Sequence, residues 1–510
     1  MPESVPSPAL SRRPQAALGA LWLALAAVIG WRFSGQATDD IYITYRYVQN
    51  LAGGNGFVFN PGERVFGVTD PGAGLLLAAL HLASRIPIPA AGTLLTALCL
   101  LATAALLLRD GAERGRLPEA AAGGTLLLSS AYLWIGQGSG PLVALPLLLA
   151  AARRGERSQE RLDLLGGALA GLAFWSRPDA APAAGWLALL RWRERRRFPW
   201  AFVLAVAAVA LAGVLAAWLW FGTPVPNTLT AKQQFAALNP ARFTGARVFW
   251  GTAWQLFHLH GGPLSAALVF LGIAGQWVLF RRSGAAGRLL VLHSATLAVA
   301  YTLLRVPFFL WYTIPTVVAV LYGACFLAGA AVRRALAADR RVWAVAVGIA
   351  GLAIAVSWGS ATVRWWRDGN RGDWRIAAYS KAGDWIRANT PPGSTIAFEE
   401  IGILAFHSER PILDLVGLVS PSVLRYTATG DFLGAFLERP TDLVVYHTFH
   451  RRGGSGPIVA RPWFDDAYER VARFRFSELG GAIEVYRRRP GAWIPPPRPP
   501  VARRPIPAGL

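Results

Sequence analysis

Charge is scarce in this chain. Asp, Glu, Lys and Arg make up 16% of its 510 residues, against about a quarter in a typical soluble domain. A soluble chain of this length would fold as two to four domains. The hydrophobic share of 54% and the mean hydropathy of +0.37 exclude that reading. Cysteine is nearly absent as well. Cys99 and Cys325 both fall inside apolar runs and read as small apolar fillers, which excludes a disulfide framework. No His/Cys cluster has zinc spacing. Lysine is almost missing: only Lys232 and Lys381 interrupt an arginine-dominated set of basic residues. No internal repeat is visible.

What is present is a series of apolar runs near the roughly 20 residues that cross a bilayer. They lie near residues 17–31, 71–85, 90–108, 119–135, 141–152, 162–175, 179–191, 200–221, 263–280, 289–304, 310–331 and 342–358. These predict about ten to twelve spans. The formal net charge of +22 is concentrated in short loops, at Arg153 to Arg161, Arg191 to Arg197, Arg281 and Arg282, and Arg333 to Arg341. That is the positive-inside pattern of a membrane protein. The basic loops lack interleaved aromatic platforms, which argues against nucleic acid. If every run crosses, the loop Arg109–Arg116 falls outside, against the charge rule. One early run is therefore expected to be re-entrant or half-length.

The domain organisation follows from these signals. Residues 1–16 are expected to be a disordered cytoplasmic N-terminus, and 17–358 a membrane domain with outer loops 34–70 and 222–262. Residues 359–489 read as a small periplasmic α/β domain, and 490–510 as a disordered Pro/Arg-rich tail. Within the soluble segment, Asp373 to Ala388 has helical periodicity. Ser394 to Phe398, Pro411 to Leu415 and Asp442 to Tyr446 read as strands, and Val471 to Phe476 with Ala482 to Tyr486 as a hairpin.

The most informative stretch follows the first apolar run: Thr38-Asp39-Asp40-Ile41-Tyr42-Ile43-Thr44-Tyr45-Arg46-Tyr47. Two adjacent carboxylates at a membrane surface are costly and usually functional. Side by side they raise each other's pKa, which suits a general base. The bland alternative is a solvated loop in which Asp39 caps a helix from Ile41 onward. Asp70, before the second run, either joins this acidic site or caps the following helix.

This stretch, continued by Gly53-Gly54-Asn55-Gly56-Phe57-Val58-Phe59-Asn60-Pro61-Gly62-Glu63-Arg64-Val65, resembles the first periplasmic loop of bacterial GT-C glycosyltransferases. Those are multi-spanning enzymes that take a sugar from a polyprenyl-phosphate donor. The nearest named subgroup is the terminal arabinofuranosyltransferases of mycobacterial type and their relatives. Further likenesses follow in order: Ser176-Arg177-Pro178-Asp179; Phe221-Gly222-Thr223-Pro224-Val225-Pro226-Asn227-Thr228 with Ala231-Lys232; Arg305 with Trp311-Tyr312 and Pro315; and Glu400-Ile401-Gly402 with Asp414-Leu415 and Gly417-Leu418. Two departures stand out. Phe66 occupies a position where relatives often carry Glu, and Leu142 stands where an early outer loop often has Glu.

The resemblance implies an all-α polytopic GT-C membrane domain followed by a small α/β domain. It implies that Asp39 and Asp40 are the catalytic pair, with Asp39 the first choice to deprotonate the acceptor hydroxyl. Lys232, Arg177 and Arg305 are the candidate clamps for the donor phosphate; Lys232 otherwise snorkels, Arg177 otherwise pairs with Asp179, and Arg305 is otherwise an anchor. Asn227, Tyr312, Trp311, Asp179 and Asp70 are candidate substrate contacts. Trp250 and Trp254 read as belt residues as readily as ligands, and His258 and His260 lack visible partner ligands for a metal. No cofactor is expected, a divalent metal is left open, and the lipid-linked sugar is a substrate. The expected activity is transfer of a sugar, of arabinofuranosyl or mannosyl type, to an envelope glycan, glycolipid or protein on the periplasmic face of the inner membrane. The competing readings are a lipid-sugar transporter, which would show inverted repeats and mid-membrane charges, and a non-catalytic envelope scaffold.

Overall fold

The computed structural model describes residues 12–155, 160–238, 250–251, 253–254, 262–304, 309–367, 374–451, 453–476 and 480–499. In chain order its principal helices are α1 (Arg12–Phe33), α2 (Asp39–Ala52), α3 (Pro71–Ser84), α4 (Ile88–Ala112), α5 (Leu117–Leu128), α6 (Ala131–Ile135), α7 (Gly140–Gly155), α8 (Glu160–Ser176) and α9 (Ala181–Arg195). There follow α10 (Trp200–Phe221), α11 (Asn227–Leu238), α12 (Pro263–Arg282), α13 (Ala285–Leu303), α14 (Ile314–Ala337), α15 (Arg341–Arg367), α16 (Ile376–Asn389) and α17 (Gly402–Ser408). The chain divides into two compact units, each built from separated stretches. The first takes Met1–Gly35, Pro89–Ala212 and Phe249–Asn370; the second takes Gln36–Ile88, Gly213–Val248 and Arg371–Leu510.

The protein is a polytopic α-helical membrane protein. Among the described residues seven helices are long and apolar enough to cross a bilayer: α1 from Ala16, α4, α10, α12, α13, α14 with the turn before it, and α15 to Trp365. The apolar runs near 71–85, 119–135, 141–152, 162–175 and 179–191 form helices of 12 to 17 residues instead, apart from the five-residue α6. These short helices account for the gap between seven and the expected count. Helix α1 begins at Arg12, so residues 12–16, expected to be disordered, are its first turn; residues 1–11 lie outside the described residues.

In the first unit, α14 is the central helix. It packs on α12 backbone to backbone, because Gly272 and Gly275 face Val320 and Gly323 where any Cβ would strike a carbonyl. Between α5 and α6 the helix breaks. Irregular backbone inside a membrane protein must be paired internally, and here it is. The Ser129 carbonyl accepts from the Thr362 hydroxyl (2.6 Å), which in turn accepts from the Ala131 amide (3.2 Å). The indole N–H groups of Trp134 and Trp358 donate to the carbonyls of Leu128 (2.8 Å) and Leu126 (3.2 Å).

One end of this unit is basic and cross-linked through buried acids. Asp110 accepts from the amides of Gly284 (2.8 Å) and Ala286 (3.2 Å) and lies 3.6 Å from Arg153. Arg153 also pairs with Glu113 (2.6 Å), Arg333 with Glu119, and both Arg191 (3.1 Å) and Arg195 with Asp163. The loop at Arg109–Arg116 therefore lies with the other arginine loops. At the opposite end Gln137 donates to the Phe33 carbonyl (2.7 Å) and accepts from Thr93 (2.5 Å). The chain leaves the unit after Phe33 and re-enters at Pro89 at that same end.

The second unit contains a five-stranded mixed sheet of order β2-β1-β3-β5-β4. Its strands are β1 (Ile396–Phe398), β2 (Ile412–Asp414), β3 (Leu443–His447), β4 (Tyr468–Arg475) and β5 (Ala482–Arg488). β1 is parallel to β2 and β3; β5 is antiparallel to β3 and β4. These match the expected strands and hairpin, while Leu479 of the turn lies outside the described residues. Helix α16 fills the expected periodic segment from Ile376; Asp373 lies outside the described residues. The sheet packs on an apolar cluster that includes Phe432, Phe436, Phe464 and Tyr468. The beginning of the tail is ordered, contrary to expectation. Ala492 and Ile494 pack against that cluster, and Arg498 pairs with Asp431 at 2.9 Å. Residues 500–510 lie outside the described residues.

The loop expected to lie outside the membrane, 34–70, belongs to this same unit from Gln36 onward. Asn60 pairs with Ile412 of β2 much as a neighbouring strand would, donating to its carbonyl (2.9 Å) and accepting from its amide (3.0 Å).

Replacing Thr362 by Val removes the hydroxyl that serves both Ser129 and Ala131 while keeping the side-chain shape. Unpaired buried backbone groups cost about 1–3 kcal/mol each, so Thr362→Val should lower the thermal midpoint of the purified protein in detergent. An unchanged midpoint would show that the break is stabilised in another way.

Candidate functional site

Helix α2 starts where its sequence changes character. Thr38 is extended and the Ile41 amide bonds its carbonyl at 3.0 Å. The two acids that follow occupy the first turn, where the helix dipole favours negative charge. Ile41, Tyr42, Tyr45, Tyr47 and Val48 are buried and anchor the helix.

Consecutive helical residues point about 100° apart, and the two carboxylates have separate environments. Asp39 is buried (3% exposed). Its oxygens accept from the amides of Gly402 (3.1 Å) and Ile403 (2.8 Å), the first two residues of α17. The cap envisaged for Asp39 thus exists, but on α17: Asp39 is itself the first residue of α2. The approach is so close that a Cβ on Gly402 would strike the Asp39 carbonyl. Asp40 is partly open, with 30% of its side chain exposed, and lies 3.3 Å from the ammonium of Lys232, itself 25% exposed.

Lys232 is delivered by α11, whose start is fastened at three points. The Asn227 amide N–H donates to the Phe66 carbonyl at 2.7 Å. Its side-chain Nδ2 donates to the carbonyls of Gly417 (2.6 Å) and Leu418 (2.9 Å). Those carbonyls are presented by a turn wrapped around Asp414, whose carboxylate accepts from Val416 (2.9 Å) and Val419 (3.1 Å). Burial pushes the Asp414 carboxyl up to about 6 against the opposing pull of these amides. Tyr47 closes the other side: its hydroxyl donates to the Val65 carbonyl (2.7 Å) and accepts from the Gly67 amide (2.9 Å). Asn227 therefore holds the scaffold with its amide. Asp70, buried, accepts from Thr44 (3.1 Å), one turn beyond Asp40 on α2. Thr228, one turn before Lys232, buries a hydroxyl with no hydrogen-bond partner among the described residues. In the sequence it was part of the segment that carries the resemblance but not a candidate contact; its place four residues before the lysine was the available signal.

Glu400, next to the capped helix, is ion-paired with Arg375 at 2.8 Å and accepts from the Tyr379 hydroxyl. Burial opposes its ionisation, but Arg375 and Tyr379 hold its carboxyl below the usual range. Phe66 is buried and stacks on Phe221, with centroids 4.7 Å apart.

The remaining candidates gather in the first unit. Arg177 and Asp179 sit at the short 3-10 turn Pro178–Ala180, paired at 2.9 Å. Arg177 lies over the Tyr312 ring at 4.7 Å, and Asp179 also accepts from the Tyr301 hydroxyl. Trp311 is buried and stacks on Phe309 at 5.1 Å. Leu142 is buried within α7. Trp250 donates to Thr302 (2.7 Å) and Trp254 packs on Phe270 (5.3 Å). Arg305, His258 and His260 lie outside the described residues. Among the described residues no group of three or more His, Cys, Asp or Glu side chains is placed to hold a metal.

Asp414 generates a pH signature. Its folded-state value of about 6 lies above the roughly 3.9 of an unfolded chain, so the protonated form is the one stabilised by folding. The contribution is complete below pH about 4 and is lost as pH rises through about 6, up to about 3 kcal/mol. Relative to Asp414→Asn, the wild type should lose thermal stability across that window. A constant difference between the two proteins would contradict this.

A domain of unknown function (DUF8728) matches residues 366–491. None of the curated proteins compared with the chain matches it. Among solved structures, the chain is similar to ArnT from Cupriavidus metallidurans bound to undecaprenyl phosphate. Identity is 11% and TM-score 0.58, covering 92% of this chain and 98% of that one. It is similar to the Archaeoglobus fulgidus oligosaccharyltransferase tethered with an acceptor peptide, with 13% identity and TM-score 0.54, covering 92% and 74%. It is also similar to the arabinofuranosyltransferase AftD from mycobacteria, with 16% identity and TM-score 0.51, covering 94% of this chain and 40% of that one. The fold is that of the GT-C glycosyltransferases.

Proposed function

We propose that the chain is a membrane glycosyltransferase that moves a sugar from a polyprenyl-phosphate donor to a hydroxyl of a cell-envelope acceptor. The observation that carries this reading is the partly exposed pair of Asp40 and Lys232 at 3.3 Å. It stands in a fold shared with proteins such as ArnT, whose structure holds undecaprenyl phosphate. An arabinofuranosyl or mannosyl donor fits the loop resemblance.

In this reading Asp40 is the base, in place of Asp39. The oxygens of Asp39 hold two backbone amides, so Asp39 is a positioning residue that aims α2. Donor binding draws the ammonium of Lys232 onto the phosphate and frees Asp40. The acceptor hydroxyl gives its proton to Asp40 while its oxygen bonds the anomeric carbon. The bond from that carbon to the phosphate oxygen breaks, and polyprenyl phosphate leaves with the electron pair. A single displacement inverts the anomeric centre. A cation on the leaving phosphate stabilises the charge that develops there. We assign Arg177 to holding its turn through Asp179 and Tyr312, with Trp311 packed beside it. The basic end of the membrane unit faces the cytoplasm by the charge rule. That orients the α2 loop and the C-terminal α/β segment to the outside of a bacterial inner membrane.

Transfer from a panel of labelled polyprenyl-phosphate sugars, by purified protein in lipid, tests the proposal. Asp40→Asn should lower the rate about 10²–10⁴-fold with the protein still folded. Lys232→Ala should lower it about 10²–10³-fold. Asp39→Asn should lower thermal stability together with rate. Restoration of a deletion strain's envelope by Asp40→Asn at wild-type level would sink the catalytic reading.

A further inference from the structure

At the basic end of the first unit, α4, α7 and α8 line a half-open cavity of about 440 Å³. Leu106, Ala150 and Leu162 give it apolar walls, and Arg109, Arg153, Arg154 and Glu113 line the rest. Among the described residues three guanidinium groups and one carboxylate line it, and Arg153 is also met by buried Asp110 at 3.6 Å, which leaves Arg109 and Arg154 in excess. Three other arginines at this end are matched: Arg191 and Arg195 share buried Asp163 and donate to the carbonyls of Ala151 (2.7 Å) and Gly155 (2.9 Å), and Arg333 meets Glu119. In the cavity Glu113 is drawn to Arg153 at 2.6 Å and reaches Arg109 only at 3.4 Å. The Nε of Arg154 is buried with no hydrogen-bond partner among the described residues. Arg109 sits in the last turn of membrane helix α4 with 64% of its side chain exposed.

The cavity thus combines a surplus of cationic donors with an apolar wall, at the depth where a spanning helix ends. Guanidinium groups bind phosphate oxygens through charge-assisted hydrogen bonds. Basic pockets between helices at the cytoplasmic surface suit anionic lipid headgroups. We propose that this cavity binds the phosphodiester headgroup of an acidic phospholipid, with Arg109 and Arg154 on the phosphate and the lipid's first methylenes against Leu106, Ala150 and Leu162. The site is separate from the Asp40–Lys232 pair, and lipid binding here does not depend on the glycosyl-transfer reading.

The test is binding to the delipidated full-length protein in neutral detergent. The probes are short-chain phosphatidylglycerol, phosphatidylcholine of the same chain length, and inorganic phosphate. The readouts are thermal midpoint and retained lipid by native mass spectrometry. Phosphatidylglycerol should raise the midpoint and be retained, phosphatidylcholine should do so at least about tenfold more weakly, and inorganic phosphate should have no effect at matched concentration. Arg109→Gln with Arg154→Gln should abolish the preference for the anionic lipid. If that double variant does not fold, Arg154→Gln alone and the salt dependence of the wild type decide: the preference should fade between about 0.05 and about 0.5 M salt. An unchanged preference in the variants, or one insensitive to salt, overturns the proposal. An equal response to inorganic phosphate overturns the lipid assignment in favour of a soluble phosphate compound.

Discussion

The carboxylate of Asp39 holds two backbone amides that belong to residues 363 and 364 positions further along the chain. This bond sets the start of α2 against the start of α17, with no room for a side chain on Gly402. The orientation of Asp40 follows from it, since the next residue on a helix must turn about 100° away. A second chain of contacts, from Asp414 through the carbonyls of Gly417 and Leu418 to Asn227, sets the start of α11 and hence Lys232. The ion pair is thus the meeting point of two rigid paths. Both paths end in buried polar groups that are costly to leave unpaired.

The membrane unit obeys a different constraint. In hydrocarbon each backbone group needs a partner within the protein. At the α5–α6 break the partners are side chains of α6 and α15, Trp134, Trp358 and Thr362. At the basic end the same logic applies to charge. Asp110, Glu119 and Asp163 are buried, and each meets an arginine or a row of amides. These acids join loops that are far apart in sequence, so the arginines act as structural cross-links as well as markers of topology.

The broad fold was legible because it rests on local signals: hydropathy runs, arginine loops, and the alternation and turn residues of the β segments. The resemblance carried by the Asp39–Asp40 loop and the Asn227 to Lys232 segment pointed to the GT-C fold. Helix length was less legible, because an apolar run reads alike whether it forms one long helix or a shorter or broken one; α3, α5 and α7 show this. The difference in setting between the two aspartates was hidden altogether. It depends on which amides lie opposite, and Gly402 is remote in sequence. The partners of Asn227, Gly417 and Leu418, were for the same reason visible as a motif but not as neighbours. The order in residues 490–499 was masked by composition, since proline and arginine suggest disorder whether or not an apolar cluster lies beside them.

The second unit is written into the chain in three pieces, separated by long runs of membrane helices. The Asp39 carboxylate and the Asn60 side chain of the first piece meet backbone groups of residues 402, 403 and 412, so those bonds wait until the third piece has been made. The unit closes only then, after the seven long apolar helices among the described residues. The matched segment at residues 366–491 is, in the same sense, the third instalment of a folding unit. Made by itself, it would present the Gly402, Ile403 and Ile412 amides to solvent, with no aspartate or asparagine to receive them.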